Sequence, residues 1–121
     1  MSPRSEEFLA AAKRRLSSAE MLAEDDPSGA LSAAYYAMLY CARAALSERE
    51  ASAKTHRGTW HEFRETFVKS GELEEGLVTK VQQFQPEREQ ADYDAWFAPP
   101  EEAQRAIAVA HDFLVAVEAL F

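Results

Sequence analysis

The chain is poor in the residues that cross-link, bend or interrupt a fold: one cysteine, four glycines and five prolines among 121 residues. A lone cysteine, Cys41, excludes an internal disulfide. Its place in an apolar helical run marks it as a small core hydrophobe, because a reactive thiol needs exposure and a basic neighbour. So little glycine and proline beside 47% hydrophobic residues excludes a mainly disordered chain. No stretch approaches the roughly 18 consecutive apolar residues of a membrane span. The opening Met1-Ser2-Pro3-Arg4-Ser5-Glu6-Glu7 lacks the apolar core of a signal peptide, so a cytoplasmic location with no membrane partner is expected. Positive charge is scarce as well: 13 Lys+Arg face 21 Asp+Glu, a net charge of -8. The deficit is local, since residues 1–57 hold eight basic and eight acidic side chains and residues 58–121 hold five and 13. A general affinity for nucleic-acid backbone needs a basic surface, so it is excluded and only a small local site is left open. The acidic half is either a solvated surface or a face that docks a basic partner.

What is abundant is alanine, with 23 copies, which favours helix before any pattern is read. From Ser5, residues Phe8, Leu9, Ala12, Leu16, Ala19, Leu22 and Ala23 recur at helical spacing, and Glu24–Gly29 forms a turn. A second helix is predicted from about Ser28 to Glu50, with an apolar stripe through Leu31, Ala34, Tyr35, Met38, Leu39, Ala42, Ala45 and Leu46. A third starts at Thr55 or His56, carries Trp60, Phe63 and Phe67, and stops at Ser70-Gly71. A fourth carries Leu77, Val81 and Phe84. Pro86 either kinks that helix or separates it from a short following turn. Residues 91–99 read as a long aromatic loop. Pro99-Pro100-Glu101-Glu102 opens a last helix that is apolar to Phe121. No strand pattern or interdomain linker interrupts this, so residues 1–121 are predicted to form a single all-α domain, an up-and-down bundle of four to five helices.

Three histidines, His56, His61 and His111, fall outside metal-ligand spacing, and no phosphate-binding glycine loop or nucleophile turn is present. No metal or cofactor is therefore expected. Tyr35 and Tyr36 point about 100° apart on a helix, so one packs in the core while the other meets a neighbour, solvent or a functional pocket. Lys54, His56, Arg57 and His61 cluster at a helix start, where free N–H groups attract anions; the alternative is a capped loop with a histidine packed under Trp60. Arg88 stands four residues before Asp92, placed either to pair with it or to hold a phosphate. Tyr93 follows, placed to stack or to donate a hydrogen bond.

Four segments together carry a family resemblance: Ser32-Ala-Ala-Tyr-Tyr-Ala-Met-Leu-Tyr40 with Ala42-Arg43-Ala44, then Lys54-Thr-His56-Arg-Gly58, then Phe67-Val-Lys-Ser-Gly71, then Arg88-Glu-Gln-Ala-Asp92-Tyr93. In order and spacing they resemble the HEPN domain, nearest its small-protein branch UPF0332, along most of the chain. The resemblance implies a helical bundle that commonly forms homodimers, and a minimal nucleotidyltransferase as a frequent partner. It also implies RNA binding or metal-independent RNA cleavage in toxin–antitoxin and defence systems. The active members use an arginine followed, after four to six residues, by a histidine. Such a histidine moves a proton from a ribose 2′-hydroxyl while the arginine stabilises charge on the phosphate.

This chain departs from that motif, because Tyr93 stands where the histidine would be. Tyrosine is a poor base at neutral pH, and His111 lies 23 residues beyond Arg88. Arg49 and His56 have the right separation but straddle the end of the second helix. The first expectation is thus a non-catalytic or weakly active, homodimeric HEPN binding module that docks a nucleotidyltransferase and takes a nucleotide or RNA at a local site. Lys54, Arg57, Tyr36 and Asp92 would line that site. The alternative is an endoribonuclease working through Arg88, His56 and Tyr93. The dimer rests on the resemblance and on the apolar faces of the second and last helices, against a plain monomeric bundle.

Overall fold

The computed structural model describes residues 1–93 and 97–121, with the backbone alone at Ala91 and Tyr93. Helix α1 spans Pro3–Leu22. It begins two residues before the expected Ser5, because Ser2 is the cap: its hydroxyl accepts from the Ser5 backbone N–H at 3.1 Å. Pro3 then takes a first-turn position where the missing N–H costs nothing. Helix α2, Pro27–Glu48, starts the same way, with Asp26 accepting from the Gly29 N–H at 3.0 Å. It ends where Glu50 turns left-handed at φ 57° and the Ala51 N–H reaches back to the Leu46 carbonyl at 2.9 Å. Helix α3, His56–Phe63, is capped by Thr55, whose Oγ1 accepts from the Gly58 N–H at 2.9 Å. A Cβ on Gly58 would come within 2.8 Å of that oxygen, so the glycine keeps the cap open.

The third helix does not run as one regular element to Ser70. Past Phe63 it widens into a π-helical turn, Arg64–Val68, before the chain leaves through Gly71 at φ 83°. Helix α4, Glu75–Gln82, and helix α5, Phe84–Tyr93, are separated at Gln83. Pro86 thereby falls in the first turn of α5, where an N–H would have no helical partner anyway. The predicted aromatic loop over 91–99 is corrected at its front, since residues 91–93 complete α5. Residues 94–96 lie outside the described part. Helix α6 spans Pro100–Glu118.

Helix α2 is the axis of the bundle. Thirteen of its residues are buried, and α1, α3, α5 and α6 all pack on it. Its alanines, among them Ala30, Ala34, Ala42, Ala44 and Ala45 at 0% exposure, leave room for neighbouring backbones on several sides. Phe63 and Phe113 close the far side of the core with ring centroids 5.4 Å apart, and Trp60 joins them at 6.0 and 5.8 Å. Each such ring contributes roughly 1.5–3 kcal/mol through burial. Cys41 is buried in the same core, and desolvation pushes its thiol pKa up to about 12. That leaves it unreactive at neutral pH. Because α2 hides its stripe within the chain, the large apolar groups left outside among the described residues are Met1, Met21 on α1, Phe97, Val115 on α6 and Phe121. No strand occurs among the described residues, so the domain is all-α.

Candidate functional site

Helix α5 sets Arg88 and Asp92 one turn apart on a single face, and that face meets α2. The Arg88 side chain is buried, with 4% of the residue exposed. Its Nη1 donates to Asp92 Oδ2 at 3.1 Å, and a second carboxylate, Glu89, lies at 3.8 Å. Its Nη2 lies 3.2 Å from His56 Nδ1, which brings together residues 32 positions apart. The guanidinium carbon stands 5.4 Å from the ring centroid of Tyr35 and 5.5 Å from that of Tyr36. Those aromatic faces favour a cation that burial has stripped of water. The expected Arg88–Asp92 ion pair is therefore formed, and it is one part of a larger constellation.

The two tyrosines divide as their spacing predicts. Tyr35 is fully buried, and its hydroxyl accepts from Trp60 Nε1–H at 3.1 Å. Burial raises its pKa despite the hydrogen bond from Trp60 and the charge of Arg88, so it stays a neutral phenol. Tyr36 is half-buried and meets His56 edge to face at 5.7 Å. From Tyr36 the aromatic line continues to Tyr40 at 6.2 Å and on to Phe8 of α1 at 6.2 Å. Arg15 lies over both Tyr36 and Tyr40.

The chemistry of His56 follows from its neighbours. Arginine only donates, so Nδ1 accepts the Arg88 hydrogen bond and the ring proton of the neutral imidazole sits on Nε2. Burial, then the charges of Arg88 and Arg43, hold its pKa below the ordinary imidazole value. A folded-state pKa below the unfolded one means that the unfolded chain binds more protons in the window between them. The stability that His56 confers is therefore complete above about pH 6.5. It is lost as pH falls from there through the lower folded value. The urea midpoint should drop more steeply on acidification in the parent chain than in His56→Gln; equal slopes would contradict this account.

Of the other expected site residues, Lys54 lies just before the Thr55 cap and lines a cavity with Arg4 and Arg43. Arg57 is exposed, and no described contact joins it to Arg88 or His56. Tyr93 ends α5, and its side chain lies outside the described part. The N–H that an anion would seek at Gly58 is already bound by Thr55. His61 is exposed, and His111 pairs with Glu20 at 2.6 Å on the surface between α6 and α1. Among the described residues no group of three or more histidines, cysteines and carboxylates converges as metal ligands would. Sequence reasoning missed Arg43 and the supporting role of Tyr35 and Trp60. The only signal for Arg43 was helical register on α2, which places it two turns beyond Tyr36.

A family model described as the HEPN domain matches residues 5–120. The chain belongs to the HEPN domain family. It is 36% identical over 86 residues to "Putative toxin MJ0142" of Methanocaldococcus jannaschii, covering 70% of this chain and 58% of that protein. It is 37% identical over 76 residues to "UPF0332 protein glr0978" of Gloeobacter violaceus, covering 60% of this chain and 59% of that protein. The matched part thus spans about three fifths of the length of these curated relatives. The HEPN assignment agrees with the all-α bundle, and the name of the first relative makes the chain similar to a toxin-like member of the family. No described helix is long and apolar enough to cross a membrane.

Proposed function

We propose that this chain is a non-catalytic or weakly active HEPN binding module of a toxin–antitoxin or defence-type system. It docks a minimal nucleotidyltransferase and holds a phosphate of a nucleotide or RNA beside Arg88 and His56. The observation that carries this reading is the 3.2 Å contact between Arg88 Nη2 and His56 Nδ1. A general base needs a free lone pair aimed at substrate, and this one is engaged by arginine. In that tautomer the other ring nitrogen of His56, Nε2–H, is a donor. Two donors side by side suit recognition of a phosphate oxygen better than removal of a proton from a hydroxyl.

Tyr36 then supplies a half-buried ring beside the phosphate, Asp92 holds Arg88 in place, and Tyr93 positions the ligand from the end of α5. Lys54 and Arg57 add positive charge at the start of α3. The module works as a homodimer, with Val115 and Phe121 of the last helix and its terminus as apolar surface for the second copy, and it resides in the cytoplasm.

The same contact supports a second reading as a metal-independent endoribonuclease. If Arg88 turns to a substrate phosphate, the Nδ1 lone pair is released beside it, on a ring whose depressed pKa keeps it unprotonated.

One set of measurements separates the two. The purified chain should leave a labelled RNA intact, retain a minimal nucleotidyltransferase on co-expression with its neighbouring genes, and sediment as a dimer at micromolar concentration. RNA cleavage that His56→Ala abolishes would establish the endoribonuclease instead. A monomer mass would refute the dimer.

A further inference from the structure

We infer that the chain carries a separate site for a phosphate monoester, in the cavity enclosed by the start of α1, the last turns of α2 and the connection to α3. The cavity measures about 250 Å³. Arg4, Arg43 and Lys54 line it together with the hydroxyls of Ser47 and Ser52 and the ring of Phe8. Among the described residues six of the 13 Lys and Arg side chains pair with a carboxylate: Lys13, Arg49, Arg64, Lys69, Arg88 and Arg105. Among the described residues the three around this cavity make no ion pair and no hydrogen bond, and Nε of Arg43 is buried without a partner.

A buried, unsatisfied guanidinium nitrogen is costly, of order 1–3 kcal/mol. Three unpaired cations around one hollow also repel one another. The nearest acids do not relieve them. Glu48 is engaged by the chain's amino group and the Ser2 N–H, and Glu50 lines the adjoining shallow depression without pairing to Arg4. A dianion with several acceptor oxygens removes both penalties, and a phosphate monoester supplies two charges and three terminal oxygens. The space beyond one phosphate is walled by Phe8, Leu46 and Ala51, so the group that carries it is flat or apolar.

This site shares Lys54 with the reading above and borders it through Arg43, whose charge also acts on His56, but Arg88 has no part in it and it stands or falls independently of Arg88. The test is calorimetric titration of the full chain with inorganic phosphate, with AMP, and with a short oligouridylate bearing either a 5′-phosphate or a 5′-hydroxyl. AMP or the 5′-phosphorylated oligonucleotide should bind at one site per chain. Arg43→Gln should weaken that binding at least tenfold, as expected for loss of a charge-assisted bond. Arg4→Gln and Lys54→Gln should each weaken it several-fold, while Lys80→Gln on α4 should leave it unchanged. Binding of AMP as tight as that of the phosphorylated oligonucleotide identifies a free mononucleotide as the source. Binding of the phosphorylated oligonucleotide alone identifies an RNA end. Arg43 has no bond to lose, so its variant should fold; if it does not, the exposed pair Arg4→Gln/Lys54→Gln serves in its place. Failure of every phosphate probe to bind at millimolar concentration, or binding indifferent to these substitutions, would overturn the proposal. Equal affinity for the 5′-hydroxyl oligonucleotide would do the same.

Discussion

Arg88→Ala should cost the fold about 3 kcal/mol, the low end of what removing one partner of a buried ion pair costs. The low end applies because Asp92, the carboxylate left behind, keeps 28% of its side chain in contact with solvent and can be rehydrated. Three things are lost together: the bond to Asp92, the bond to His56 Nδ1 and the contact with the two tyrosine rings. They join α5 to α2 and to the start of α3, so the loss falls on tertiary docking as well as on α5 itself. Arg88→Lys should recover less than half of the deficit. A point charge cannot reach Asp92 and His56 at once, nor lie flat against Tyr35.

The same variant carries a second readout that a mere packing defect would not produce. Removing the guanidinium charge should let the His56 pKa rise toward its ordinary value. The rise stops short of it because burial, the larger cause, and Arg43 both persist. Urea denaturation and an NMR titration of the His56 ring measure the two effects separately. A stability loss under about 1 kcal/mol would show that Arg88 is solvated in solution, and an unmoved His56 would show that the two side chains do not meet.

How much of this was legible beforehand depends on whether a feature is local. The stripes of α1, α2 and α6 follow from apolar spacing, because a helix that must bury one face repeats that face every three to four residues. The break near Pro86 was legible for the same kind of reason, as was the division of labour between Tyr35 and Tyr36. The end of α5 was not. Ala91-Asp92-Tyr93 offers no apolar stripe, and its helix is held by Arg88 gripping Asp92 against a buried surface. The π-helical turn at Arg64–Val68 left no trace in composition either. The meeting of Arg88 with His56 depends on how α5 lies against α2 and α3, and nothing local in either segment announces it. The cavity is the extreme case: Arg4, Arg43 and Lys54 come from three segments, and only the docking of α1 on α2 brings them together.

Trp60→Ala should be the most damaging single change in the chain, costing about 3–5 kcal/mol against the 5–15 kcal/mol that holds a typical domain folded. Trp60 is at 0% exposure and packs edge-on against Phe63 and Phe113, so its removal opens a cavity that rigid aromatic neighbours cannot close. It also removes the donor that fixes the Tyr35 hydroxyl. Tyr35→Phe tests that bond from the other side. The cavity stays filled, but the Trp60 indole N–H is left buried without its acceptor, at a cost of about 1–3 kcal/mol. Trp60→Phe with Tyr35→Phe deletes both polar partners, and should be less harmful than the sum of the two singles by about 1 kcal/mol. The consequence reaches the candidate site because the Tyr35 ring lies under Arg88 and 5.8 Å from His56. A loosened Tyr35 should raise the His56 pKa even though no charge has been altered. Strict additivity in the double-mutant cycle would remove the hydrogen bond from the account. A stability loss in Tyr35→Phe with His56 unmoved would confine Trp60 and Tyr35 to the core and leave Arg88 alone in setting the site.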